Sequence, residues 1–354
     1  MFSIREVRGH QWWFSKVAPA LAVSYCAALV YRVSAADTAR AILLIAFVGL
    51  CAGSYGHIVN DIFDIEIDRR AGKQNRMAGF ARWQRFLFCA VTLVMGFAPA
   101  ALLSCSRTSL ALLAVEYLLP TLYSVPPFRL KESGTLGVLC DAMGAHLVPS
   151  LYVISLLAHH AADPALLRTR TGVAFLCTVA AWALCLGLIG IIIHEYQDRA
   201  NDLQSGIRTF ATGLLFSRLR RLLSQFYAVE ICAFVGLAVT LLTAAPLVAA
   251  SAILFALTLV VKVARHWIFY RRTHEEATMI QWWQLTHPYY EFYFPLAAAL
   301  QCAWLHPGLA PLPLLQVALF APTLYAQLPE LQALPGAAFQ LFRASIQRCT
   351  HMQR

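Results

Sequence analysis

The sequence predicts an all-α, polytopic membrane protein of about nine transmembrane helices, with room for a tenth, and three observations carry that prediction. The 354-residue chain is 59% hydrophobic and only 13% charged, too apolar for an ordinary water-soluble domain. A bilayer-spanning helix needs roughly 20 mostly apolar residues, and such runs follow one another almost from end to end. Twenty of the 28 lysines and arginines fall on one side of the alternating loops and five on the other, with three more at the C-terminus. Helical membrane proteins keep their positive loops in the cytoplasm, so this asymmetry orients the chain. No strand pattern, low-complexity tract or detachable soluble domain interrupts the runs.

The first run begins near Val17, after "MFSIREVRGHQWWFSK". That segment lacks a cleavable signal-peptide pattern, and Trp12 and Trp13 suit an aromatic belt at the membrane surface. Runs two and three begin near Ala41 and Phe86. The fourth, "LALLAVEYLLPTLYSV" from Leu110, is short and broken by Pro120, which makes it the least helix-like of the set. Runs five to nine begin near Leu136, Gly172, Phe226, Ala249 and Tyr289. A tenth near Ala310 would return Arg343, Arg348 and Arg354 to the positive side. Residues 1–354 therefore read as one transmembrane domain, with 308–354 as an extra helix and cytoplasmic tail.

The net charge of +10 records topology and contact with the lipid bilayer. No aromatic-basic module accompanies it, so nucleic acid is not an expected partner. Ten cysteines include no CxxC pair and lie mostly inside the runs, which reads as small buried side chains without a disulfide framework or zinc site.

Two of the apolar runs end in acid. "NDIFDIEIDRRAGKQNR" (Asn60 to Arg76) leaves the second run, and "HEYQDRANDLQSGIRT" (His194 to Thr209) leaves the sixth. Both open on the cytoplasmic side by the charge count. Asp61, Asp64 and Asp68 are spaced i, i+3, i+7, with Asn60 one turn before Asp64, and Asp198 and Asp202 are i, i+4. Each set shares a helical face, where like charges repel by a few tenths of a kcal/mol per pair. A cation offsets that repulsion. Oxygen ligands without a Cys/His set point to Mg²⁺ before Mn²⁺ or Ca²⁺, and Mg²⁺ favours bridging carboxylate to phosphate. Glu66 points off this face, toward solvent. Lys73 and Arg76 follow the first run and Arg208 the second, placed to neutralise a pyrophosphate together with metal. A third cytoplasmic loop, "YSVPPFRLK" (Tyr123 to Lys131), adds Arg129 and Lys131 beside a rigid Pro126-Pro127 turn.

"NDIFDIEID" resembles the NDxxDxxxD signature of the UbiA superfamily of intramembrane prenyltransferases, and "DRAND" with "LQSGIRT" resembles their second DxxxD motif. "YSVPPFRLK" looks like the family's loop between helices four and five. The three motifs stand in family order between Asn60 and Thr209. The resemblance implies a ring of nine helices around a central cavity, open to the cytoplasm and laterally to lipid. It also implies Mg²⁺ and an isoprenyl diphosphate held by both motifs, here Asn60, Asp61, Asp64, Asp68, Asp198 and Asp202. Lys73 and Arg76 match the basic residues trailing the first motif, and Tyr123, Arg129, Lys131 and Arg208 complete the expected diphosphate contacts. The chain departs from the pattern in "NRMAGF", which lacks the frequent proline, and in the possible tenth run. The expected activity moves an isoprenyl group from an allylic diphosphate to a small aromatic acceptor, with Asp64, Asp198, Lys73 and Arg76 as catalytic residues. The expected setting is a bacterial inner membrane, with the site facing the cytoplasm.

A terpene cyclase on the same scaffold, needing no acceptor, is the alternative; a channel lacks support, since no internal repeat appears and the acids sit at helix ends. Asp141 and His146, five apart, fall on different faces of an α-helix, as acceptor-end or structural groups. His57 and His194 each precede a ligand candidate by one turn, as partners orienting a carboxylate or as packing. Glu116, Glu230 and Glu291 have no evident partner. "HPYYEFYFP" (His287 to Pro295) reads as an interfacial aromatic belt before a carbocation contact.

Overall fold

The computed structural model describes residues 9–102, 104–204, 206, 209–269, 286–325 and 336. Among them every regular element is helical. In chain order these are α1 (Trp13–Val30), α2 (Ala35–Arg70), α3 (Arg82–Leu102), α4 (Arg107–Ser124), α5 (Thr135–His159), α6 (Arg170–Gln204), α7 (Phe216–Thr240), α8 (Pro246–Phe269), α9 (289–305) and α10 (Pro307–Tyr325). Seven of them, α1 to α3, α5 to α7 and α10, are long and apolar enough to cross a membrane. The tail after Tyr325 lies outside the described residues, apart from residue 336.

Local chemistry accounts for the boundaries. Ser34 caps α2, accepting from the Asp37 backbone N–H at 3.1 Å, and Ser106 caps α4 through Ser109 N–H at 3.0 Å, the side-chain acceptor that a helix start requires. The seventh helix begins at Phe216, ten residues before the expected start near Phe226. Its first turns are amphipathic: Leu219 and Leu223 are buried while Arg218, Arg220 and Arg221 face outward. The fourth run, expected to be broken at Pro120, is one continuous helix. Pro120 packs onto Gly56, where an added Cβ would lie 3.3 Å from the proline ring.

Three helices carry a π turn: Trp13–Val17 in α1, Met143–Leu147 in α5 and Tyr289–Tyr293 in α9. Each is followed two residues later by a proline, Pro19, Pro149 and Pro295. Proline lacks the N–H that would meet the carbonyl four residues back, and its ring crowds that carbonyl. Those carbonyls belong to Ser15, Ala145 and Glu291, inside the π turns, so the helix widens where the bond is lost. Pro99 and Pro120 stand inside helices without such a turn, so proline alone is not sufficient.

α2 packs along α3 and α6 along α7, while α1 is clasped between α5 and α9. α1, α2, α4, α5 and α6 enclose a central cavity of about 850 Å³, as the sequence resemblance implied. The outer helices α3, α7 and α8 expose Phe86, Val94, Val235, Leu254 and Leu257, an apolar jacket that only lipid would match. Cys26, Cys51, Cys140, Cys185 and Cys302 are buried, and Cys177 and Cys232 face outward.

Two aromatic expectations are corrected. Trp12 is buried and stacks on His57 at 5.8 Å, and Trp13 stacks on Phe320 of α10 at 5.7 Å. They are internal packing, not a surface belt. Tyr289, Tyr290, Phe292 and Phe294 are likewise buried, with three of them against Trp182 or Phe234. A periodicity argument could not separate belt from core, because both use the same residue types.

The backbones of α5 and α6 approach closely where the two helices cross. A Cβ at Gly187 would stand 2.7 Å from the Ala142 carbonyl oxygen and 2.8 Å from Ala142 Cα. Gly187→Ala should force these backbones apart and cost about 1–3 kcal/mol, read as a lower melting temperature in detergent. Gly236→Ala, which meets only the Thr178 methyl at 3.1 Å, should melt close to wild type.

Candidate active site

The cavity mouth is built from the ends of α2 and α6 and two loops. Gly53, Gly56, His57, Asn60, Asp64, Ile67 and Asp68 line the cavity from α2, with the i, i+3, i+4, i+7 spacing that places them on one helical face. Gly187, Gly190, Ile191, His194, Glu195, Asp198 and Asp202 do the same from α6. The two acidic runs therefore face one space. Lys73, in the loop after α2, lines the same mouth and interacts electrostatically with Asp202 of the other run.

The loop between α4 and α5 closes over the first run. Arg129 has a left-handed backbone (φ 38°), a conformation costly for a side chain of its size. It turns the chain so that Arg129 and Lys131 reach back to α2. Lys131 Nζ donates to both Asp64 oxygens at 2.6 Å and to Asn60 Oδ1 at 2.9 Å. Arg129 Nη2 donates to Asp64 Oδ1 at 2.8 Å, its Nη1 reaches the Phe63 and Ser124 carbonyls, and its Nε pairs with Glu132. Burial pushes the Lys131 ammonium below the ordinary lysine value, against the pull of Asp64. Burial also pushes the Asp202 carboxyl up, helped by Asp198 one turn away and opposed by Lys73.

Asn75 is a residue that the sequence reading passed over. Its Nδ2 donates to the Asp61 carbonyl at 2.7 Å and to Asp68 Oδ2 at 2.8 Å, while its Oδ1 accepts from the Met77 and Ala78 backbone N–H groups. The amide thus folds the loop carrying Lys73 back against the acidic face. Glu195 plays the matching part on α6: it is buried and accepts from the Ala211 backbone N–H at 3.1 Å. The available signal was spacing, since Glu195 precedes Asp198 by three and Asp202 by seven, the same rhythm as the first run.

Other expected residues are placed as follows. Asn60, Asp64, Asp68, Lys73, Tyr123, Arg129, Lys131, Asp198 and Asp202 all line the cavity. Asp61 is 1% exposed and outside the cavity lining, a different side of α2 from Asn60 and Asp64. Arg76 is also off the lining, and Arg208 lies outside the described residues. His194 Nε2 stands 3.8 Å from Asp198 Oδ2, and His57 packs on Trp12. Glu66 is exposed and paired with Arg69 and Arg70, as expected. Asp141 and His146 both line the cavity despite their spacing. The π turn between them takes more residues per turn than an α-helix and brings positions five apart onto one face.

Among the described residues no three of the His, Cys, Asp and Glu side chains converge to cage a metal ion by themselves. The donors at the mouth are carboxylate oxygens on two facing helices. That set suits an ion which keeps its waters and uses one or two carboxylates plus phosphate, as Mg²⁺ does, and not a zinc-like enclosure.

A sequence model of the UbiA prenyltransferase family matches residues 19–285. The lycopene elongase/hydratase of Halobacterium salinarum is 28% identical over 213 residues, 58% of this chain and 68% of that protein. The structure of a UbiA homologue from Archaeoglobus fulgidus bound to DMAPP and Mg²⁺ matches with a TM-score of 0.53 at 13% identity, over 83% of this chain and 98% of that one. A UbiA homologue from Aeropyrum pernix K1 gives 0.54 at 18% identity, over 80% and 96%. At these identities the two structures speak for the fold.

Loss of the Asn75 amide should loosen the acidic mouth without unfolding the barrel. Asn75→Asp keeps an acceptor for Met77 and Ala78 but sets a second carboxylate against Asp68. Mn²⁺ binding, followed by electron paramagnetic resonance, should weaken about 10–100-fold in Asn75→Ala and further in Asn75→Asp, the range seen when a ligand-orienting partner is removed. Unchanged Mn²⁺ affinity in both would mean that the loop does not position the acids.

Proposed function

This chain belongs to the UbiA prenyltransferase family and is an integral membrane prenyltransferase, and we propose that it moves an isoprenyl group from an allylic diphosphate to a small aromatic acceptor with Mg²⁺ bound. The single observation that carries the proposal is the shared mouth, where the α2 and α6 carboxylates and the cations of two loops face one cavity with an apolar lower wall. Of the ligands expected from the sequence, Asp64, Asp68, Asp198 and Asp202 are the ones we assign to the metal, with Asn60 beside them. Asp61, buried off the lining, is left to structure.

Bound there with the diphosphate, Mg²⁺ supplies neutralisation of the negative charge that builds on the leaving group. The chain's own residues do the rest. Lys73, Arg129 and Lys131 add fixed positive charge around the leaving oxygens, worth most where water is scarce. Lys131, now on Asp64, has three N–H donors and can share them between that carboxylate and a phosphate oxygen. Leu119, Pro120, Ile45 and Val48 line the space below, take up the isoprenoid tail and keep out water that would quench the allylic cation. Trp12 and His57, stacked one turn below Asn60, offer flat faces to an aromatic acceptor. The bond from allylic carbon to diphosphate breaks as the acceptor's electron pair forms the new one, and the acceptor's proton leaves to the departing diphosphate. Arg76 and Arg208 we assign to the approach of the diphosphate.

The lysine and arginine asymmetry supports a mouth opening to the cytoplasm, and the setting we propose is a bacterial inner membrane. The relative named lycopene elongase/hydratase favours a second reading of the acceptor, a polyene in place of a phenol. Product mass spectrometry decides between them, using purified protein, Mg²⁺, dimethylallyl or geranyl diphosphate, and either phenols or lycopene. A cyclic hydrocarbon formed without acceptor would replace both with a cyclase. Asp64→Ala and Asp198→Ala should each lower Mg²⁺-dependent turnover by at least about 100-fold while the protein stays folded in detergent. Full activity in either would remove the mechanism.

A further inference from the structure

Below the acidic mouth, partway down the cavity, lies a second group of polar side chains. Lys16, Glu116, His146 and His287 all line the cavity. Lys16 and His146 come from the π turns of α1 and α5, and His287, just before the third π turn, pairs with Glu291 inside that turn at 3.2 Å. Lys16 is within electrostatic range of Glu116 and of His146. Among the described residues no salt bridge or hydrogen bond closes between Lys16 and Glu116, and the buried Glu116 Oε2 has no hydrogen-bond partner. A cation and a carboxyl group therefore face one cavity with a gap between them. Polar groups left unmet at membrane depth are expensive, and their default reading is functional.

Packing along α2 fixes the level of this pair. Ser124 donates to Asn60 at 3.3 Å and Pro120 rests on Gly56, so α4 runs parallel to α2 and Glu116 stands level with Ala52. Lys16 is next to Val17, which contacts Gly49. From Asp64 to the level of Ala52 is about 18 Å at 1.5 Å per helical residue, and the lining continues below to Val48 and Ile45. Trp12 and His57 lie between the mouth and the pair. The Trp12 ring packs over Gly53, stacks on His57 and stands one turn before Lys16 in the chain. An aromatic ring resting there has the diphosphate site above it and Lys16 and Glu116 below. The pair then selects what the lower edge of that ring carries. Lys16 only donates and Glu116 Oε2 can accept, so the gap suits a group that does both, an uncharged hydroxyl. A carboxylate only accepts and would set its oxygens against Glu116. A hydrocarbon would strip both groups of water without giving a hydrogen bond in return.

We propose that Lys16 and Glu116 hold the hydroxyl of the acceptor, Lys16 donating to its oxygen and Glu116 accepting from its O–H, so that the cavity selects phenols over aryl ethers, aryl carboxylates and polyenes. The inference rests on the reading of this cavity as the acceptor's place in prenyl transfer, and its test separates the two. Binding of 1-naphthol, 1-methoxynaphthalene and 1-naphthoate to the full chain in nanodiscs, without donor, is followed by probe fluorescence against empty nanodiscs. Naphthol should bind at least about tenfold more tightly than either of the others, the order of one hydrogen bond to a charged group. In a Lys16→Met/Glu116→Leu double variant naphthol and its ether should bind alike, with the ether's affinity near wild type. Removing both polar groups together leaves neither charge uncompensated, and a melting curve checks that the variant folds. Equal affinity for naphthol and its ether in wild type, or tighter binding of naphthoate, overturns the inference whether or not the variant folds. A preference for naphthol that survives in the folded double variant overturns it as well. The transferase reading is tested apart, by product mass spectrometry of wild type with naphthol, Mg²⁺ and geranyl diphosphate. Absence of prenylated naphthol, beside intact discrimination in binding, would sink that reading and leave the hydroxyl site standing.

Discussion

Asp64 is a carboxylate near the end of a 36-residue helix, and the pair of cations that grips it organises the mouth. Asp64 and Lys131 are 14% and 15% exposed, too little for water to carry the charge alone. Removing one member of such a pair leaves the other uncompensated, at roughly 3–5 kcal/mol when fully buried. The contact is also topological, since it joins α2 to the loop between α4 and α5, 67 residues later. That loop brings Tyr123 to the cavity, and α5 beyond it carries Asp141. The left-handed backbone at Arg129 is the local strain that the clasp holds in place.

Around this anchor the barrel is arranged by helix spacing. Small residues on α2 and α6, among them Gly53, Gly56 and Gly187, let neighbours approach closely, which is how membrane helices associate where lipid is as apolar as the side chains. Trp12 fills the hollow over Gly53, and Ala142 lies against Gly187. The π turns then perturb three otherwise regular helices at one depth. They carry polar groups inward at positions where an α-helix would aim them elsewhere.

Much of this was legible in the chain. The ten apolar runs correspond to helices, and the faces of Asp64, Asp68, Asp198 and Asp202 followed from i, i+3 and i, i+4 spacing. That rule also explains where the reading went astray. It assumed α geometry throughout, so Asp141 and His146 were put on separate faces, and Lys16 was counted as a loop charge. The prolines at 19, 149 and 295 were the available hint. Asp61 shares the spacing of its neighbours but sits at the edge of the helical stripe, and only packing decides which edge is covered. Asn75 could not be found by pattern, because its partners, the Asp61 carbonyl, the Asp68 carboxylate and two backbone N–H groups, are brought near by the loop itself. Trp12, Trp13 and the tyrosines after His287 were misplaced for a different reason: aromatic residues serve equally at an interface and in a core.

The stacking of Trp13 on Phe320 has a consequence for how the molecule is assembled. The Trp13 indole N–H donates to the Leu319 carbonyl, 306 residues away, and α1 also leans on α9. α1 therefore meets α9 and α10 only after the seven helices between them have been made. Until then its inner surface must be shielded by lipid or by the insertion machinery, and closure of the ring is a late, long-range event of the kind that slows folding.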